Sequence, residues 1–484
     1  MTATWSWLVG WSIVLSGVGT PSDAREDSSP AGVAGNVWPG FRGDGRSVTV
    51  ARNLPLEWSP QKNIAFRIRL PGYGQSSPVV WKGQVYVTAV EGEQKEKLHI
   101  VAVRLRDGRV VWHKEFSASQ KGRNNPMMSR AASTPIADEQ GVYCFFESGD
   151  LIALQHDGKL RWQRSLSQDY GAIKNNHELA SSLAQDAQQL FILVDHSGPS
   201  YLVAIDKATG KTRWKADRPS RTSWTSPVVT QVDDTTVVVV ASGDTVTVYD
   251  AATGKVLATL DNLVGLNIAS PVAEGEWIVL GAGVNRLKPD AAASARSNCL
   301  LRLQHKNGQW SLSQVWPGKK AVSAFASPLI YDGHVYFLTR EGMVHCLNAR
   351  TGEPRYVERL EDEVWATPIA AGDRIYFFGK KGITIVLKSG AEFEKLAVNR
   401  LWTPEEYAAR LAEARKEAEK KLPPPPPGKG PAGGPVVPPE EMQAVRYATV
   451  GDVVYAVAAV DGAFIVRTGT ELIVIRQPTG TSSR

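Results

Sequence analysis

The chain has 484 residues, 43% of them hydrophobic, and its 55 Lys and Arg against 49 Asp and Glu leave a net charge of +6. The bases are interleaved with acids along the whole length, which excludes the clustered basic footprint that nucleic acid requires, so no nucleic-acid partner is expected. Three cysteines, Cys144, Cys299 and Cys346, exclude a disulfide-dependent scaffold of this size.

Residues 1–24 read as a cleaved export signal: an apolar run from Leu8 to Val18, then the small residues around Ser22-Asp23-Ala24. That run is too short to cross a bilayer, and no later segment is apolar enough, so no transmembrane segment is expected in the mature chain. No cysteine follows the run to carry a lipid. The expected location is periplasmic or secreted. Residues 25–37 read as a flexible N-terminus ahead of a single domain over 38–484.

Within that domain one supersecondary unit recurs. Each copy opens on a small polar residue, usually followed by proline: Ser77-Pro78, Thr134-Pro135, Ser182-Leu183, Ser226-Pro227, Ser270-Pro271, Ser327-Pro328 and Thr367-Pro368. The intervals are 57, 48, 44, 44, 57 and 40 residues, and a degenerate eighth opening stands at Ala458-Ala459. Runs such as Val335-Tyr336-Phe337-Leu338 are aromatic and β-branched, as strands prefer. Asp332-Gly333, Thr209-Gly210 and Thr253-Gly254 mark tight turns between them. Trp112, Trp162, Trp214, Trp310 or Tyr356 closes the unit and is read as a wedge between sheets. Four strands per unit without helical periodicity predict an all-β fold: an eight-bladed β-propeller of four-stranded antiparallel blades. Residues 64–70, ahead of the first full unit, are expected to complete the eighth blade, pairing the N-terminal and C-terminal strands so that neither edge is left open.

Several segments interrupt the rhythm. Residues 117–130 and 168–178 are long, polar loops; a third enlargement covers 283–298. Thr403-Pro404-Glu405-Glu406 is a helix start with an N-cap, a first-position proline and a capping glutamate, so 403–441 is expected to be a helix followed by a Pro/Gly-rich spacer.

The residues just before each opening are expected to line one end of the propeller axis. They give the axial-mouth ligand candidates Arg130, His177, Glu178, Trp224, Asn267, Phe325 and Trp365, where aromatics beside Arg, His, Glu and Asn suit a planar or anionic ligand. Met127, Met128 and Tyr170, on two consecutive loops, are the candidates for a partner-binding surface. No catalytic residue and no metal ligand is assigned. The histidines lack metal-ligand spacing, and His156 and His196 read as surface residues of turns. No Gly-x-Ser-x-Gly elbow occurs.

Ala326-Ser327-Pro328-Leu329-Ile330-Tyr331-Asp332-Gly333, with Leu347-Asn348-Ala349-Arg350-Thr351-Gly352, resembles the pyrroloquinoline-quinone-like (PQQ-like) propeller repeat. Ala204-Ile205-Asp206-Lys207-Ala208-Thr209-Gly210-Lys211-Thr212-Arg213-Trp214 matches the closing half of that repeat. The resemblance implies an eight-bladed ring and two kinds of function. Quinoprotein dehydrogenases bind PQQ and calcium on the axis, with a stacking Trp and often an adjacent-cysteine disulfide; this chain has no adjacent cysteines and no Asp alignable to the catalytic role. The other branch is similar to the propeller lipoprotein of outer-membrane β-barrel assembly, a non-enzymatic scaffold, although the lipidation cysteine is missing here. The expectation is therefore an exported, non-enzymatic module that binds a protein or envelope component, with no cofactor. Polysaccharide or small-molecule binding at the axial mouth is the first alternative, and a dehydrogenase using PQQ and calcium is the second.

Overall fold

The computed structural model describes residues 34–284, 290–323, 325–420 and 450–478. The expected export signal and the Pro/Gly-rich stretch lie outside them. Eight sheets form the ring. Blades 1 to 7 follow chain order and have their innermost strands at Val79–Trp81, Ile136–Asp138, Ala184–Gln185, Val228–Val232, Val272–Glu274, Leu329–Tyr331 and Ile369–Ala371. Blade 8 takes Ala456–Val460, Ala463–Arg467 and Glu471–Arg476 from the C-terminal side and Ile64–Arg69 from the N-terminal side. The last two are antiparallel, with Ile68 opposite Leu472. The ring is thus closed by chain ends meeting within one sheet, as the sequence predicts.

The repeated phrases each do a local job. The middle strands, such as Gln189–Val194 and Gly141–Phe145, are buried throughout because both sheet faces pack on neighbouring blades. The opening hydroxyls form a belt. The backbone N–H of Ser77 donates to Thr134 Oγ1 at 3.1 Å, Thr134 to Ser182 Oγ at 3.0 Å, and Ser182 to Ser226 Oγ at 2.9 Å. Ser226 continues it to Ser270 at 2.9 Å, Ser270 to Ser327 at 3.1 Å, and Ser327 to Thr367 at 3.3 Å. A buried N–H needs an acceptor, and a short hydroxyl side chain supplies one where strands crowd the axis. Pairing places Ala456, rather than Ala458, at the opening position of blade 8, since Val460 pairs Ala463 as Trp81 pairs Gln84. The belt therefore ends at Thr367. Between blades 7 and 8 an aromatic cluster takes over: Trp58 lies 6.1 Å from Phe378 and 5.8 Å from Phe464, and Tyr376 lies 4.7 Å from Phe464.

The closing aromatics are wedges between blades. Trp112, Trp162 and Trp214 donate their indole N–H to His156, Lys207 and Ala251 carbonyls of the following blade, at 2.8, 2.9 and 2.9 Å. Each ring covers the next turn glycine: a Cβ on Gly254, whose φ is +73°, would come 2.5 Å from Trp214. Phe66 plays this part across the ring closure, lying over Gly108. In blade 5 the wedge is Trp316, not Trp310. Its indole N–H donates to Ala349 O at 2.9 Å, and it pairs Leu300 as Trp112 pairs Ala102. The hairpin of Cys299–Lys306 and Gln309–Pro317 extends further past that pair than its counterparts, so counting from the turn glycine finds Trp310, which instead stacks on His305 at 4.5 Å.

One feature is not repeated. Residues 35–52 cross the axis at the end where the two innermost strands of each blade turn. Trp38 exchanges two backbone hydrogen bonds with Val80 of blade 1, and Pro39 O accepts from Ala137 of blade 2. Arg42 then donates to Pro271 O of blade 5 at 2.7 Å, and Val48–Thr49 adds a parallel fifth strand to Ile369–Ala371 of blade 7. Blade 5 stands opposite blade 1 in an eight-fold ring, so this strap spans the channel and seals that end. Ala34–Asn36, inside the segment expected to be flexible, is a 3-10 turn whose Gly35 O accepts from Asp461 of blade 8 at 2.7 Å.

The open end carries the insertions. α1 (Leu166–Tyr170) and α2 (Ala291–Ser297) are short helices in the enlarged connections. α3 (Pro404–Glu419) starts with the expected capping box: Thr403 Oγ1 accepts from Glu406 N at 3.1 Å, and Glu406 Oε2 accepts from Thr403 N at 2.9 Å. Arg410 of α3 pairs with Asp452 at 2.8 Å and Glu471 at 3.1 Å, fastening the helix to blade 8.

Candidate functional site

The loops preceding the innermost strands place the predicted mouth residues in three groups around the open end. In the first, between blades 8 and 2, the Arg130 guanidinium lies 3.3 Å from the centroid of the Tyr73 ring. Tyr73 shares a 2.8 Å hydrogen bond with the Tyr455 hydroxyl, and Gln75 Oε1 accepts from Arg130 N at 2.9 Å. Arg467 closes this group from below. It is fully buried, donates to Gly74 O and Thr88 O at 3.2 Å each, and has no acceptor for Nη1. Burial draws its guanidinium down to about 9, still charged at neutral pH, while it pushes the Tyr455 phenol well up.

The second group runs across blades 2 to 5. His177 Nδ1 donates to Met127 O at 3.0 Å, which fixes the proton on Nδ1, and the His177 ring lies 5.8 Å from Trp224. Trp224 donates its indole N–H to Glu178 O and its backbone N–H to Asn267 O, at 2.9 and 2.8 Å. The Glu178 carboxylate turns away from the axis towards Lys95, 3.7 Å off, which also pairs with buried Glu147 at 3.2 Å and donates to Ser129 O at 2.6 Å. Burial raises the Glu147 carboxyl against the pull of Lys95. A cavity of about 10 Å3 beside the triad has the size of one water. The triad locks loop 117–130 to loop 168–178, so Glu178 is engaged in holding loops. His196 does similar work. It is 2% exposed, contrary to the surface position expected of it, because Nδ1 accepts from Lys174 and Gly198 N–H groups while Nε2 donates to Pro199 O. His156 is half-buried, with Nδ1 bonded to the Tyr86 hydroxyl at 2.8 Å and Nε2 donating to Asp138 O.

The third group, on blades 6 and 7, is a Phe325–Trp365 stack at 4.9 Å and 21°. Lys380 Nζ lies 4.3 Å from the Trp365 ring, and Arg340 lies 5.5 Å from Phe325. Lys380 reaches Glu363 at 3.4 Å, whereas Arg340 makes no ion pair among the described residues. Tyr170 stands apart from Met127 and Met128. Its ring packs on Tyr201 at 5.2 Å and its hydroxyl bonds Thr212 Oγ1 at 2.6 Å, on the outer strands of blade 3. Met127 is 41% exposed and Met128 half-buried in the loop that receives His177.

The residues at the mouth do not fit PQQ with calcium. The Phe325–Trp365 separation leaves no room for a third ring between them, and His177 stands over Trp224. Glu178 is paired to a lysine. The three cysteines are free and buried. Among the described residues no three His, Cys, Asp or Glu side chains come together to hold a metal ion. No helix of the described residues is long and apolar enough to cross a membrane.

A family profile described as outer membrane protein assembly factor BamB matches residues 11–193, 174–292 and 306–423. The chain belongs to the BamB family. Among curated BamB proteins, that of Alkalilimnicola ehrlichii is 29% identical over 157 residues, 32% of this chain and 36% of the relative. That of Burkholderia pseudomallei is 26% identical over 211 residues, 43% of this chain and 50% of the relative. The matched segments thus span between about a third and half of these relatives. Among solved structures, BamB from Moraxella catarrhalis superposes with a TM-score of 0.54 at 12% identity, covering 85% of this chain and 99% of that one. A europium-containing methanol dehydrogenase gives 0.55 at 11% identity, covering 90% and 98%. These two likenesses, at such low identity, describe the BamB-type ring and not its chemistry.

Sequence reasoning missed Arg340, Lys380, Tyr455 and Arg467. The one available signal was an arginine ending the apolar strand Ala463–Arg467.

Proposed function

We propose that the chain is an exported, non-enzymatic scaffold that docks a protein component of the bacterial envelope on the open end of its ring. The observation that carries this reading is the asymmetry of the two ends. One is sealed by the protein's own residues 35–52; the other presents Met127, the Phe325–Trp365 pair and α3, held by buried ties such as Lys95–Glu147. Half-buried aromatics beside a cation such as Arg340, which has no ion pair among the described residues, are what protein interfaces use as anchors. The curated relatives, named for outer membrane protein assembly, support an envelope setting. The test is photo-crosslinking in envelopes from a probe at Met127 or Arg340, against probes at Lys82 and Gly275 on the sealed end. Protein adducts are expected only from the first pair. Tight quinone binding with calcium-dependent alcohol oxidation would sink the reading.

The Phe325–Trp365 stack beside Arg340 and Lys380 favours a second reading, a polysaccharide or small anionic ligand at the mouth. Trp365→Ala abolishing binding in a glycan and metabolite screen, with crosslinks intact, would select it.

A further inference from the structure

A groove of about 1110 Å3 runs over the open end between α3 and the loops of blades 8 and 1. Tyr73, Arg130 and Arg69 line it, with Glu93 and Glu413 on its walls. Its volume exceeds what a small metabolite fills and suits several residues of extended peptide.

The groove's charges are unusually placed. Arg130 is 7% exposed and its Nε–H has no acceptor; Arg467, also against Tyr73, is fully buried with an unpaired Nη1. Neither makes an ion pair with a carboxylate among the described residues, and the same holds for exposed Arg69. A buried guanidinium without an anion is costly, and an incoming anion beside Arg130 and the Tyr73 ring would offset that cost locally. The Tyr73 and Tyr455 hydroxyls, 2.8 Å apart, have a proton to offer the same guest. Of the carboxylates lining the groove, Asp452 and Glu471 are engaged by Arg410 and Glu91 by Lys97 and His99, whereas Glu93 and Glu413 form no ion pair among the described residues. Backbone packing keeps the arrangement rigid, since a Cβ on Gly74 would strike Thr88 O and Arg467, and one on Gly469 would strike the Tyr73 ring.

We propose that this groove is a peptide-docking site in which Arg130, backed by Arg467, receives a carboxylate of the partner. The inference rests on the scaffold reading and names its recognition chemistry. Glu93 and Glu413 on the walls then favour basic residues flanking that carboxylate. Arg467 is a positioning residue: it touches the guest only through Tyr73 and the field it adds.

The test is a displayed random-nonapeptide library sorted on the purified full chain, repeated on Arg130→Gln and Arg467→Gln. Binders to the wild type are expected to be enriched in Asp, Glu or a free C-terminus, and the best of them to weaken roughly ten-fold or more in Arg130→Gln. A purely structural role for these arginines would lower the unfolding midpoint without changing which peptides bind. Should Arg467→Gln fail to fold, Arg130→Gln and Arg69→Gln still decide the matter. Binders with the acid content of the unsorted library would overturn the proposal. So would peptide affinity indifferent to Arg130→Gln, or selenate bound at Arg130 with no peptide binding, which would make the guest a small anion. Crosslinks from Met127 with none from a probe at Glu413 would leave the scaffold standing and remove only this groove.

Discussion

Replacing Thr134 by Val isolates one link of the hydroxyl belt. The two side chains are nearly isosteric, and Thr134 is 1% exposed, so the substitution removes an acceptor and little else. Thr134 keeps its own N–H bond to Ser182, but the Ser77 N–H, now 3.1 Å from Thr134 Oγ1, loses its partner in a site where Ser77 is 5% exposed. Leaving a buried donor unmatched costs about 1–3 kcal/mol. Because the lost bond joins blades 1 and 2, the cost falls on opening that junction. Hydrogen exchange by mass spectrometry of the peptide around Ser77 should accelerate by roughly five- to hundred-fold, and the urea midpoint should fall. Thr134→Ser, which keeps the oxygen, should behave as the wild type. Wild-type exchange and midpoint in Thr134→Val would refute the belt as a source of stability and reduce it to a by-product of close packing.

Gly254→Ala and Gly275→Ala both place a Cβ at positive φ, +73° and +55°, but only the first meets a neighbour, Trp214 at 2.5 Å. The second should cost about 1 kcal/mol and the first clearly more, read from denaturant midpoints; equal losses would remove the wedge argument. Asp362 is 6% exposed, and burial raises its carboxyl to about 6 from its usual 3.8. Its folded form therefore holds a proton that the unfolded form releases, a stabilisation complete below pH 3.8 and lost as pH rises through 6. Asp362→Asn should match the wild type near pH 4 and exceed it by roughly 2–3 kcal/mol at pH 7.5; a pH-independent difference would contradict this. Arg410→Ala frees α3 from Asp452 and Glu471. Limited proteolysis within α3 should quicken while the global midpoint moves by about 1 kcal/mol or less, and unchanged cleavage would show that the pairs do not hold the helix.

The fold was readable because each repeated phrase answers a local physical need. Ser or Thr at an opening feeds the belt, Thr-Gly makes the turn, and Trp covers the next glycine. Trp310 shows where such reading slips: the wedge is set by pairing with Leu300, and an elongated hairpin moved the glycine from which the position was counted. His196 was misplaced on the surface, and the pairing of Glu178 went unseen, for another reason. Their partners, Lys95 and Lys174, come from connecting loops whose length and polarity reveal nothing about what they touch. Of the Arg130–Arg467 floor only Arg130 stood among the mouth candidates; Arg467 was signalled by nothing but an arginine ending an apolar strand, since it meets Gly74 across a separation of 393 positions. Distances of that kind exist only once the ring has closed.

The strap over 35–52 has an orientational consequence. Gly35 is fixed to the Asp461 turn of blade 8 on the sealed face, while the groove beside α3 opens on the reverse face. The first described residue and the groove are thus on opposite poles of the molecule. A tether or fusion joined directly at Ala34 would hold the ring with its groove-bearing pole turned outward, whereas the same attachment near α3 would cover the groove.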